Sequence, residues 1–292
     1  MFFSQQKAIN TSLPSILTSE VKNGAVLAGN DFTGEQLSKW FAQEQEAFYY
    51  DNNGNSEVDP WYEYARSLNE LLGFSRVPLI KDKALTSPSV LVLGPGSGIE
   101  IDNFAKKNSN WRIYFIEASS NFKVELKQKY SKSFVIDAVT SGDILVNNDS
   151  QDVVCAFSVL HHVPNVSYVV KEMYRVMKPG GLFLVREPCS SMGDWRYPRS
   201  ATPNERGISR DLMISIAKNA GFEIEQKPIP ILFNPLNVYL KKIGASSLIT
   251  TKNFYWVDRL FSWLTSFNDH YWRDCWYKKI GPSAYFYVFK KP

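Results

Sequence analysis

Short, unbroken apolar runs alternate with stretches of helical spacing through the middle of this chain, and that alternation predicts its architecture. Ser89–Leu93, Arg112–Ile116, Ser133–Val139, Asp152–Ser158 and Leu182–Arg186 read as strands. Apolar runs without polar interruption suit parallel strands covered on both faces, whereas a one-sided sheet shows alternation. After the fourth run, Val166, Val169, Val170, Met173, Val176 and Met177 recur at helical intervals until Lys178-Pro179-Gly180-Gly181 stops them. A further helix is predicted over Arg210–Asn219, closed by Gly221, with a strand after it at Phe222–Lys227. Strand and helix in strict succession predict a doubly wound α/β sheet with right-handed crossovers. Ahead of the first strand, Leu37, Trp40, Phe41 and Phe48 behind a Thr33–Gln36 capping box predict one helix. Asp59-Pro60 opens another, with Trp61, Tyr64, Ala65, Leu68, Leu71 and Leu72 on one face and Gly73 at its end.

The first strand empties into Gly94-Pro95-Gly96-Ser97-Gly98, with a helix expected from about Ile99. Glycines there let the backbone turn tightly and approach a ligand at van der Waals distance. Further on, Glu117 ends the second strand, where an acid can accept from both hydroxyls of an adenosyl ribose. A nicotinamide dinucleotide is a rival for that pairing, but the third glycine stands one position early for its Gly-x-Gly-x-x-Gly turn. Beyond the third strand, Asp143 can accept from an adenine amino group while the amide of Ile144 donates to the ring. Asp137 competes for the same role, and Asp143 is preferred.

In this order the features resemble the class I S-adenosylmethionine-dependent methyltransferases over about Ser89–Glu225. The resemblance is carried by Leu-Gly-Pro-Gly-Ser-Gly, Glu117, Gly-Asp-Ile, Asp-Val-Val…Leu-His-His-Val, Lys-Pro-Gly-Gly and Asn-Ala-Gly-Phe-Glu-Ile. It implies a Rossmann-like seven-stranded sheet whose last strand, Ala284–Lys290, inserts antiparallel. It also implies S-adenosylmethionine held by Gly94, Pro95, Gly96, Gly98, Glu117, Ala118, Asp143, Ile144 and the Phe157–Ser158 strand end. The interval from Asp143 to Asp152 departs from the family by being short. The implied division is an N-terminal helical cap over residues 1–88 and a methyltransferase domain over 89–292, with insertions at 188–208 and about 228–283. Such enzymes often keep a lid ahead of the first strand; packing of the same aromatics against the sheet is the plainer role.

Composition narrows the picture. The length suits one large core, and 44% hydrophobic with 21% charged residues is ordinary for a globular protein. No apolar run is long enough to span a bilayer, and the first residues lack a basic stretch followed by an apolar core, so no leader is expected. Cys155, Cys189 and Cys275 are scattered and odd in number, which predicts a reducing, cytoplasmic setting. The histidines have no ligand spacing, so no metal is expected. Residues 1–30, polar and rich in breakers, are expected to be loosely ordered or to wrap the surface.

Candidate chemistry gathers beyond the strand ends. A hydroxyl acceptor needs a base during methyl transfer, and His161 and His162, leaving the fourth strand, are candidates with Glu187 behind them. Either histidine can instead pack or bond backbone. The connection Pro188–Ile208 carries Asp194, Trp195, Arg196, Arg199 and Arg206, types suited to saccharide hydroxyls and anions, or else to a salt-bridged surface excursion. From Pro228 onward there are nine Lys or Arg against three Asp, and sixteen of the forty-two aromatics. That segment suits a membrane interface, an acceptor-lining addition or a dimer contact, and its basic residues are too few for nucleic acid. The leading expectation is O-methylation of a sugar hydroxyl on a surface-polysaccharide precursor. A methyltransferase of a quinone or other small metabolite is the rival, and a non-catalytic scaffold binding a partner protein is the third reading.

Overall fold

The computed structural model of the chain describes residues 12–51, 60–75, 88–107, 110–197 and 202–292. Seven strands build one sheet: β1 Ser89–Leu93, β2 Arg112–Glu117, β3 Phe134–Asp137, β4 Gln151–Phe157, β5 Met177–Pro188, β6 Glu223–Phe233 and β7 Pro282–Lys290. Their order is β3-β2-β1-β4-β5-β7-β6. The first five pair in parallel, and β7 lies antiparallel between β5 and β6. The strand order therefore reverses between β1 and β4, where ligands of open α/β sheets bind beyond the strand ends.

Both faces of the sheet are covered, which explains the uninterrupted apolar runs. Val90, Val92, Phe115, Cys155 and Leu184 pack into one core, and their neighbours Leu91, Leu93, Ile116, Val154 and Val185 pack into another. Helices α3 (Pro60–Leu68), α4 (Asp102–Lys107) and α5 (Ser120–Lys129) bury Tyr64, Leu68, Phe104 and Leu126 in the first. Helices α6 (Val166–Val176) and α7 (Arg210–Ala220) bury Val166, Val170, Met173, Met213 and Ala217 in the second. After β6 the chain adds α8 (Asn234–Lys242) and α9 (Lys252–Leu264) before returning as β7.

Several elements differ from the sequence expectation. β5 begins at Met177, so Lys178-Pro179-Gly180-Gly181 ends the helix but continues as extended chain. β6 runs to Phe233, with two register shifts, rather than stopping at Lys227. The helix expected to end at Gly73 passes it in a π-helical turn, Asn69–Phe74, and Leu71 is exposed. A Cβ on Gly73 would lie 2.9 Å from Phe286 Cζ, so that glycine serves close packing on the sheet.

Ahead of the sheet, α1 (Ser19–Asn23) and α2 (Gly34–Asp51) divide the two roles weighed for this region. α3 packs on the sheet, but Trp40 of α2 does not. It joins Leu13, Val21, Trp195, Tyr271 and Trp272 in a separate aromatic cluster. Residues 12–30 are thereby held in place, and Ser209 Oγ donates to Gly24 O at 2.6 Å. Of the capping box, the Gln36 half forms: its Oε1 accepts from the Thr33 N–H at 2.9 Å. The side chain of Phe48, and Asp59 and Arg199 altogether, lie outside the described residues.

Candidate active site

The turn after β1 combines a structural glycine with an open one. Gly94, Gly96 and Gly98 take φ of +54°, +54° and +75°, where a side chain is strained. A Cβ on Gly94 would sit 2.2 Å from Val159 Cγ2, whereas one on Gly96 meets nothing nearer than Phe122 at 3.8 Å. Beside Gly96, the buried Glu117 carboxylate accepts from the Gly96 N–H at 3.1 Å and the Ser119 N–H at 2.8 Å. Burial raises the Glu117 pKa, and the backbone N–H bonds oppose that shift. Pro95 is half-buried in the same turn and its carbonyl accepts from the Gly98 N–H. At Ala118 the carbonyl accepts from Gln45 Nε2 of α2 at 3.1 Å. An open glycine edge next to a buried carboxylate fits an adenosyl cofactor, with lone pairs on Glu117 for ribose hydroxyls.

The adenine side is arranged differently from the expectation. Asp143 is half-buried and accepts from Ser141 Oγ at 2.6 Å and from the Tyr168 hydroxyl, bonds that hold its pKa below the usual range. The Ile144 N–H, expected to meet the adenine ring, donates to Glu172 Oε2 at 3.0 Å. Arg175 in turn fixes Glu172, at 2.7 Å from Nε to Oε1 and from Nη2 to Oε2. That amide is committed within the protein. Asp137 is exposed and pairs with Lys123. The Phe157 side chain is also corrected: it is core, facing Phe74 and Phe286 at 6.0 and 6.1 Å. Ser158 alone marks the strand end, at φ +53°, its N–H donating to Arg186 O.

The two histidines after β4 have opposite electrostatic fates. His161 is buried, with Nδ1 2.7 Å from Glu187 Oε2 and Nε2 3.3 Å from Glu205 Oε1. The other Glu187 oxygen accepts from the N–H groups of Val159 and Leu160 at 2.8 and 2.7 Å. Burial alone would lower the His161 pKa, but the Glu187 charge and the bonds to Glu187 and Glu205 raise it to about 9. The ring is an imidazolium at neutral pH. His162 lies 4.0 Å away, ring to ring, and burial together with the His161 charge lowers its pKa. Its Nδ1 is 2.9 Å from Glu44 Oε2 of α2. A neutral ring donating Nδ1–H to Glu44 carries its lone pair on Nε2. Trp40 Nε1 donates to His162 O at 2.7 Å, fixing α2 over the same turn.

Much of the 188–208 connection serves the scaffold. Trp195, expected to stack on substrate, is buried among Tyr271 and Trp272 and donates Nε1 to Ser191 O at 2.8 Å. Arg206, expected to hold an anion, is buried and donates to the carbonyls of Ala28, Leu160, His161, Val163 and Pro164. Burial pushes its pKa down to about 10, which leaves it charged. Asp194 and Arg196 pair with each other at the surface. The residues the fold actually brings to the histidines are Glu205, Glu44 and Thr202, whose hydroxyl is 3.4 Å from His162 Nδ1. His161, His162 and Glu205 offer donor atoms within 4.8 Å of one another, a grouping of metal-ligand types hidden by their sequence spacing. For Glu205, its place in Asn204-Glu205-Arg206 carried no signal beyond its type.

A family model described as a methyltransferase domain matches residues 58–227. The chain is a class I S-adenosylmethionine-dependent methyltransferase. Among solved structures, the methyltransferase resembles geranyl diphosphate C-methyltransferase from Streptomyces coelicolor, with TM-score 0.54 and 11% identity over 86% of this chain and 98% of that one. It also resembles phosphoethanolamine N-methyltransferase 2 from Haemonchus contortus, with TM-score 0.52 and 15% identity over 91% of this chain and 60% of that one. The SpnF cyclase is similar too, with TM-score 0.51 and 14% identity over 91% and 98% of the two chains. Likeness at these identities is a likeness of fold. No protein of curated function matches the sequence.

Proposed function

We propose that this methyltransferase acts on a hydroxyl, with His162 as the general base and Glu44 as the group that orients it. The Glu44–His162 hydrogen bond carries the reading. When bound, S-adenosylmethionine supplies an electrophilic methyl carbon on a sulfonium. The chain would then align an acceptor oxygen and remove its proton as the new C–O bond forms and the methyl–sulfur bond breaks, its electron pair leaving with sulfur as S-adenosylhomocysteine. With Nδ1–H held by Glu44, the Nε2 lone pair of His162 takes that proton, and Glu44 stabilises the imidazolium that results. The fixed positive charge of His161 keeps His162 neutral before the reaction. Two titratable neighbours with pKa values pushed apart are a recurrent mark of acid–base assignment.

The acceptor we infer is a saccharide hydroxyl on a surface-polysaccharide precursor. Polar groups at His162 favour it: Glu44 and the Thr202 hydroxyl. Glu44 Oε1 is buried with no hydrogen-bond partner among the described residues, and an acceptor O–H would supply one. Two measurements test the reading. His162→Ala should lose roughly 10²–10⁴-fold in turnover while calorimetry shows unchanged cofactor affinity; unchanged turnover removes His162 as base. Labelled methyl transferred into an extract should enter lipid-linked or nucleotide-linked sugars, and label confined to free metabolites replaces the saccharide with a small-molecule acceptor.

A further inference from the structure

α9 presents apolar residues to solvent as well as to the core. Its buried positions are Phe254, Tyr255, Asp258 and Ser262. At about 100° per residue, Trp256, Leu260 and Trp263 fall on the side directly opposite. They are 65%, 52% and 62% exposed. That side of a surface helix ordinarily carries charge. Beyond the helix the feature continues with Phe267, 87% exposed, and Trp276, 74% exposed. Asn268 ties the two together, its Nδ2 donating to Tyr277 O and Ile280 O, each at 2.7 Å. A groove of about 380 Å³ opens along the helix between Tyr255, Trp256, Arg259, Leu260 and Trp263.

The segment that carries this face is charged one-sidedly, and Arg259 lines its groove. Between Pro228 and Gly281 there are seven Lys or Arg and three Asp. Asp258 is buried and accepts from Tyr64, Leu232 and Phe233, while Asp269 accepts from the Tyr285 hydroxyl at 2.9 Å. The third, Asp274, pairs with Lys278 at 2.8 Å. Lys241, Lys242, Lys252 and Lys279 are exposed. Protein interfaces are depleted in Lys, whereas Trp with flanking Lys is the composition of a helix lying in the headgroup layer of an anionic membrane.

We propose that the outer face of α9, with the Trp276 turn, docks this enzyme onto an anionic lipid bilayer, the helix lying along the surface. No helix of the described residues is long and apolar enough to cross a membrane. The docking does not depend on which hydroxyl is methylated, and its test reads no turnover, so the two readings fail separately.

The full chain is mixed with vesicles of phosphatidylglycerol and phosphatidylethanolamine, and in parallel with phosphatidylcholine alone, and is followed by co-sedimentation and tryptophan emission. The expected result is partition onto the anionic vesicles with a blue shift, weakened by salt. Trp256→Ser, Leu260→Ser and Trp263→Ser combined should reduce it by about tenfold or more, with unchanged thermal unfolding because all three side chains are exposed. No partition onto anionic vesicles, or equal partition by the triple variant, overturns the proposal. A dimer in solution that the triple variant dissociates also overturns it, by assigning the face to a second copy.

Discussion

Glu44 Oε2 lies 2.9 Å from His162 Nδ1 although 118 residues separate them in the chain. The pair joins helix α2 to the turn after β4, and it sets the first prediction. Glu44→Gln should lower kcat by roughly 10–10²-fold, less than loss of the base itself, with cofactor affinity unchanged. Because the Glu44 charge and hydrogen bond raise the His162 pKa, their loss should move the acid limb of the kcat profile to lower pH. A kcat loss with an unmoved limb would make Glu44 structural only.

The His161 charge acts on the same limb from the other side. With the wild type, kcat/KM should fall on acidification through a value below the ordinary 6.5 of histidine, as His162 gains its proton. His161→Gln removes a neighbouring positive charge, so the limb should move up. A pH–rate series on both proteins checks the sign.

His161 also links stability to pH. Its folded pKa is raised to about 9, above the value near 6.5 of an unfolded chain. The stabilisation is therefore fully present below about pH 6.5 and lost as pH rises through about 9, on the order of 3 kcal/mol in all. Urea unfolding at pH 6 and above pH 9 should show that loss in the wild type, and a smaller one in His161→Gln.

Gly94 and Gly96 should separate under the same substitution. Both take φ of +54°, costing roughly 1–2 kcal/mol for alanine. Gly94→Ala adds a clash with Val159 at 2.2 Å and should unfold at clearly lower denaturant. Gly96→Ala meets open space in the protein, so it should stay folded and lose cofactor affinity in calorimetry.

Arg206→Met should destabilise the fold by about 3–5 kcal/mol, measured by urea unfolding. It leaves carbonyls of residues 28, 160, 161, 163 and 164 without their common donor. Lysine cannot replace a planar fork with five donors, so Arg206→Lys should recover only part of the loss.

The glycine turn, Glu117, the histidine pair and the parallel core were legible because each is written in a few consecutive residues. Continuous apolar runs at β1 and β4 encode burial on both faces, and Gly94-Pro95-Gly96 encodes a turn. Glu44 and Glu205 were not legible as neighbours of the histidines, since the fold alone carries them to His162 and His161. The structural places of Trp195 and Arg206 are hidden in the sequence for a related reason. An indole or guanidinium has one appearance in sequence whether it meets a ligand or the protein's own carbonyls, and Arg206 meets five of the latter. The Ile144 amide was assigned to adenine because its partner, Glu172, comes from the next helix.

The position of Glu44 on α2 carries one last consequence. Trp40, Glu44 and Gln45 of this helix bond His162 O, His162 Nδ1 and Ala118 O, so the helix that packs on the histidine turn also holds the group that orients the proposed base. Were α2 to leave that turn, Glu44 would part from His162, and the proposed base would lose the group that orients it. On the proposed mechanism a bound sulfonium would face an unoriented histidine whenever α2 stood away, which couples the docking of this helix to methyl transfer.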